Sequence, residues 1–297
     1  MSTATPRTGT ADRPLSVGAT FITVALTFVA GQLVGGGVLV AAAVLVTLLT
    51  RGTASDLVRA GTDTLMAHPL FVCLAAATAG TTLVLATLLA LKAVRVPFRA
   101  GTGLVVPKLW HIPVAVLMVM ATGPFADLAV RAVRYFLPGF TLGVLESLGE
   151  AARTDGPELA LVFASVSLVP GIAEELFFRG LVQRSLIGRL GGPIGVVIAS
   201  LLFGAFHVDP PQAVGAAVLG LSLGYVTWKT KSVIPAMIAH ASNNALALWA
   251  SRAAGGESNE IELTTHVTVL GFSGVALAAC ALALLRGTPR PPERVTA

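Results

Sequence analysis

Long apolar stretches separated by short polar loops run the length of the chain. They fall at about 15–50, 69–92, 109–136, 157–187, 193–208, 211–228, 233–250 and 264–285. Most reach the roughly 20 residues that a helix needs to cross a hydrocarbon core about 30 Å thick. The pattern therefore predicts an all-α fold, a polytopic membrane helix bundle of about eight transmembrane helices. The first stretch is the odd one. As one helix its 36 residues would be about 54 Å long. Gly35-Gly36-Gly37 is then either a hairpin turn between two short spans or a kink within one tilted span. The basic tail before it favours one span.

Breakers mark the ends of the later helices. Asp155 precedes Gly156-Pro157, a cap followed by proline in the first turn. Pro193 and Pro235 stand where the next helices should begin, and Pro210-Pro211 reads as a tight external turn. Pro170-Gly171 interrupts the fourth stretch, where proline frees a backbone carbonyl one turn earlier and kinks the helix. Such backbone is tolerated at membrane depth only where protein covers it or it lines a cavity. Residues 140–153 place Phe140, Leu142, Leu145 and Leu148 roughly along one face, either an amphipathic helix at the outer surface or an ordinary loop.

Charge adds sidedness. Of the 297 residues 55% are hydrophobic and 12% charged, about half the charge of a soluble domain. The net charge of +5 does not imply nucleic acid, because the basic residues sit in short loops where topology explains them. Lys92, Arg95, Arg99 and Lys108 fill one loop, which is expected to be cytoplasmic. Residues 137–157 hold Glu146, Glu150 and Asp155 and read as external. The alternation continues with Arg184 and Arg189 inside, Asp209 outside, Lys229 and Lys231 inside, Glu257, Glu260 and Glu262 outside, and Arg286, Arg290 and Arg294 inside. Cys73 and Cys280 both lie in apolar stretches, so no disulfide framework is indicated. Arg7 and Arg13 before an apolar run resemble a signal peptide, but the run is too long for a cleaved one and reads as a retained span.

The organisation follows: a disordered cytoplasmic tail (1–14), N-terminal transmembrane helices (15–136), an external loop (137–156), a core of transmembrane helices (157–250), a further external loop and last span (251–286), and a cytoplasmic tail (287–297). The Ala-, Val-, Gly- and Arg-rich composition suggests a bacterium and its cytoplasmic membrane.

Three polar pairs break the apolar text of the core: Glu174-Glu175-x-x-x-Arg179, Phe203-x-x-x-His207 and His240-x-x-x-Asn244. A charge near the bilayer centre costs about 2.5–3.5 kcal/mol, so the first cluster alone carries on the order of 8–10 kcal/mol before pairing. Glu175 and Arg179 are four apart and should neutralise each other, which leaves Glu174 free for chemistry. Counted from the cytoplasmic loops at 1.5 Å per residue, Glu174 lies about 20 Å deep, His207 about 21 Å, His240 about 12 Å and Asn244 about 18 Å.

A carboxylate and an imidazole converging on one water can deprotonate it for attack on a carbonyl. An amide and a second imidazole can hold the oxyanion that develops. Glu174 with His207 fits the first role, and His240 with Asn244 the second. Alternatively Glu174, His207 and His240 offer one oxygen and two nitrogens, the set a catalytic zinc takes while leaving a position open for water.

The ordered set EExxxR, FxxxH and HxxxN, with LLFGAFH and SVIPAMIAHASNN around the histidines, resembles the CAAX-protease and bacteriocin-processing (CPBP, or ABI) family of intramembrane endopeptidases. The resemblance covers about residues 157–250. It implies that Glu174 and His207 activate water, that His240 and Asn244 form the oxyanion site, and that Glu175 with Arg179 supports them. Phe203 reads as packing in support of His207 rather than as chemistry. The expected partners are a lipid bilayer and a peptide or membrane-protein substrate. Peptide maturation, self-protection against bacteriocins and processing of a membrane protein all fit.

Rival designs lack their residues. No HExxH or GxGD occurs, and Gly271-Phe272-Ser273-Gly274 matches a rhomboid GxSG pattern with no histidine after it to act as base, which leaves helix packing. Two other classes stay open: a proton-coupled transporter using the same residues as a relay, and a non-catalytic scaffold holding them as a structural knot. His68, His111 and His266, near span ends, are assigned no role, and Trp110, Trp228 and Trp249 read as an aromatic belt.

Overall fold

The computed structural model describes residues 14–49, 53, 68–140, 143–253 and 263–287. The expected N-terminal tail, the external loop carrying Glu257, Glu260 and Glu262, and the C-terminal tail lie almost entirely outside these residues. Every regular element among the described residues is helical.

Each apolar stretch is a helix. The first is α1, Val17–Leu49, continuous through the glycine triplet. It is followed by α2 (Pro69–Ala93), the short α3 (Phe98–Thr102), α4 (His111–Phe136) and α5 (Val144–Ala151). Then come α6 (Gly156–Glu174), a π-helical segment (Glu175–Gln183) and α7 (Arg184–Leu190), which run on as one 35-residue element. The chain ends with α8 (Gly192–Ala205), α9 (Pro210–Thr230), α10 (Ile234–Ala253) and α11 (Leu263–Gly287).

Five of these elements are long and apolar enough to cross a membrane by themselves: α1, α2, α4, the α6–π–α7 element and α11. The other three differ for physical reasons. α8 has only 14 residues, about 21 Å of helix. α9 and α10 have the length, but glycines, Gln212, His240 and two asparagines lower their hydropathy. α9 packs between α8 and α4, and α10 between α6 and α4, so protein rather than lipid covers much of their surface.

Pro210-Pro211 closes the turn after α8, in which Asp209 is only 1% exposed while Val208 is half exposed and adopts a positive φ of 42°. His207 stands in that turn, past the last residue of the helix.

The loops sort onto two ends as their charges predict. At one end Ser232 Oγ donates to Val105 O, Arg184 to Ala100 O, Lys108 to Gly287 O, and Leu15 N to Ser185 Oγ. Among the described residues this end holds Lys92, Arg95, Arg99, Lys108, Arg184, Arg189, Lys229, Lys231 and Arg286, and no acid. The other end carries Asp127, Glu146, Glu150 and Asp155, each paired with an arginine: Arg131, Arg134, Arg153 and Arg252. Arg252 also donates to Ala152 O and Thr154 O at 2.7 Å, fastening α10 to the end of α5. The segment around 140–153 resolves into α5, which buries Ala151 against Val72, Val162 and Leu248. Cys73 and Cys280 are buried free thiols.

Candidate active site

Local sequence sets the site before packing does. Pro170 has no N–H to offer Val166 O, the carbonyl four residues earlier. Asn244 Nδ2 donates to that carbonyl at 3.2 Å. One turn further, Gly171 lets α10 come against α6: a Cβ there would lie 2.9 Å from Ala241 Cβ and 3.0 Å from its backbone nitrogen. This close approach carries His240 to the two glutamates.

The two glutamates have different surroundings. Glu175 and Arg179 are both fully buried and paired at 2.9 Å through Oε1. The same oxygen accepts from His240 Nδ1 at 2.9 Å. Arg179 also donates to Gly220 O at 3.3 Å, and its guanidinium lies 4.2 Å from the centroid of the Phe203 ring. Glycine at 220 permits this, since a Cβ would stand 3.1 Å from the Arg179 nitrogen. Glu174 keeps 19% of its side chain exposed, and its Oε2 lies 3.8 Å from His240 Nε2.

The histidine tautomers follow from their partners. His207 Nδ1 lies 2.9 Å from Phe203 O, which can only accept, so Nδ1 carries the proton and Nε2 is left free. Phe203, read from sequence as packing, touches both histidines and the arginine. Its ring centroid lies 4.9 Å from that of His207 and 5.8 Å from that of His240, in edge contacts, and it faces Arg179.

Glu174, Phe203, His207, His240 and Asn244 all line one cavity of about 770 Å³. A second cavity of about 170 Å³, between α1 and α2, meets the first at Glu174 and His207 and is bounded on α1 by Thr27, Gly31 and Gln32. Gly171 was read from sequence only as part of a helix breaker, since its tight contact needs a known helix crossing. Two positions were not singled out: Asn243, which lines the larger cavity, and Gln183, fully buried with its amide donating to Gly224 O at 2.9 Å. A polar residue in the apolar text was the available signal for the last two.

A family model described as Rce1-like, type II CAAX prenyl endopeptidase, matches residues 156–246. This segment carries every residue of the cluster. Residues 156–246 are thus similar to the CAAX-protease family. No curated protein and no solved structure gives a significant match. The family and the five apolar spans together make the chain an integral, multi-pass membrane protein with a CAAX-protease-type core.

Among the described residues no group of three His, Cys, Asp or Glu side chains is arranged to hold a metal ion. Glu174 Oε2 and His240 Nε2 lie 3.8 Å apart, and His207 Nδ1 is anchored on Phe203 O. The rhomboid-like Gly271–Gly274 stretch lies on α11, where Phe272 is 75% exposed, and none of these four residues lines either cavity.

Proposed function

We propose that the chain is an intramembrane endopeptidase in which Glu174 and His207 activate water. The observation that carries this reading is the gathering of Glu174, His207, His240 and Asn244 on the wall of one cavity at the kinked part of a membrane helix.

The chemistry follows from what each side chain has left to offer. Water between Glu174 and His207 donates one hydrogen to the carboxylate and one to His207 Nε2, whose lone pair is free because Nδ1 serves Phe203 O. The oxygen attacks the peptide carbonyl as Glu174 takes the proton. The oxyanion is met by the second N–H of the Asn244 amide and, in its imidazolium form, by Nε2–H of His240. Glu175 and Arg179 hold His240 from behind. The tetrahedral intermediate collapses, the C–N bond breaks, and the leaving amine takes the proton from Glu174.

The test is cleavage of a quenched peptide library by purified wild type and by Glu174→Gln. General-base catalysis is worth about 10²–10⁴ in rate, and the substitution should remove that factor while the protein stays folded. Equal activity in the two proteins would overturn the assignment. A folded wild type that cleaves nothing would favour a scaffold or a relay. Activity is expected to survive exhaustive chelation. Loss on chelation with recovery on adding zinc would instead place Glu174, His207 and His240 on a metal.

A further inference from the structure

The 770 Å³ cavity lies in one half of the bundle. Its walls come from α2 (72–83), α4 (126–130), α5, α6 (166–174), Phe203 and His207, α9 (212–223) and α10 (240–251). None of these lies more residues from the end where acids pair with arginines than Glu174 does. At its outer limit stand Ser147 and Leu145 of α5, Asp127 of α4 and Ser251 of α10, the last two exposed. No residue of the basic loops lines this cavity or the smaller one. Toward the basic end, Phe177, Leu181, Gln183, Ser185 and Leu186 are all 0% exposed and close the floor beneath Glu175 and Arg179.

Short loops rich in Lys and Arg stay in the cytoplasm, so the closed end is cytoplasmic and the cavity faces away from it. The walls restrict what can enter. They are mostly Ala, Val and Leu, and the carboxylates on them are Glu174 and Asp127, the latter held by Arg131 at 2.6 Å. A charged substrate segment would leave its charge unpaired against this lining.

We infer that the cavity takes an uncharged, apolar polypeptide segment from the extracytoplasmic side, as an exported or membrane-anchored chain presents it, and not a cytoplasmic tail. The substrate part of this inference rests on the endopeptidase reading above; the sidedness does not.

The two parts are tested separately. In a full-length background with Cys73 and Cys280 replaced by alanine, single cysteines are placed at Ala247 on the cavity wall and at Val106, an 85% exposed residue of the basic end. A membrane-impermeant maleimide added to intact cells should label Ala247→Cys, and Val106→Cys only after permeabilisation. The reverse pattern, or no labelling of Ala247→Cys from outside, overturns the sidedness. A quenched peptide library with apolar centres and charged ends, which cannot cross the bilayer, is then added to right-side-out and inverted vesicles. Cleavage that needs Glu174 should occur in the first and be lost in the second. Cleavage confined to inverted vesicles overturns the inference. No cleavage in either, with Ala247→Cys labelled from outside, removes the endopeptidase reading and leaves the sidedness standing.

Discussion

His240 Nδ1 and Glu175 Oε1 lie 2.9 Å apart, a hydrogen bond that ties α10 to the π-helical segment through an oxygen already paired with Arg179. Glu175→Gln leaves Arg179 as a buried charge without its partner. Breaking a buried pair in this way costs about 3–5 kcal/mol, and replacing both members by methionine should recover most of it. Unfolding midpoints in detergent measure this directly. Glu174→Gln, by contrast, should leave the midpoint nearly unchanged.

Asn244 and Pro170 form a second coupled pair, since the amide serves the carbonyl that the proline leaves free. Asn244→Ala orphans Val166 O, which costs about 1–3 kcal/mol. Adding Pro170→Ala returns an N–H to that carbonyl, so the double variant should regain stability. It should not regain cleavage, because the oxyanion donor stays absent. Comparing midpoints with peptidase rates separates the two roles.

His207→Asn isolates one nitrogen. The Asn amide stands close to where Nδ1 was and can still donate to Phe203 O, while the ring nitrogen that accepts a hydrogen bond from water is gone. The expected result is an unchanged midpoint with cleavage down by about 10²–10⁴. A comparable loss of stability would place His207 in the framework rather than the reaction.

Gly171→Ala places a methyl 2.9 Å from Ala241 Cβ and 3.0 Å from its nitrogen. Overpacking of this kind costs about 1–3 kcal/mol. Because the strain moves α10 away from α6, cleavage should fall too. Ala241→Gly removes only the Cβ contact and should restore part of both, as read by paired stability and rate measurements.

The helices and the sorting of their loops onto two ends were legible because both depend on local composition. Apolar length gave the spans, and Lys and Arg in the loops between them gave two ends, which meet in the structure as separate clusters of loops. The glycine triplet in the first stretch left two readings, and helix runs through it as one element. The pairing of Glu175 with Arg179 was legible because four residues suffice to fix it. What depends on helix crossings was not. Nothing local places Phe203 against Arg179, or Asn244 against Val166 O. Phase was the other loss. From Glu175 to Gln183 the backbone is π-helical, and its i→i+5 turns put later residues out of step with a count of 100° per residue. Asp209 was read as an external charge from the alternation of the loops; that its side chain is buried depends on packing that no local signal gives.

The order of synthesis gives the buried charges one more consequence. Glu174, Glu175 and Arg179 leave the ribosome on α6 and the segment after it, while Phe203, Gly220 and His240, which receive them, are made later on α8, α9 and α10. Released into lipid alone, the α6 element would carry three charges at about 2.5–3.5 kcal/mol each, offset only by the ion pair within itself. The element is long and apolar enough to cross a membrane by itself, but its charges meet Phe203, Gly220 and His240 only once α8, α9 and α10 have followed it. Closing the polar cluster is therefore a late step of assembly.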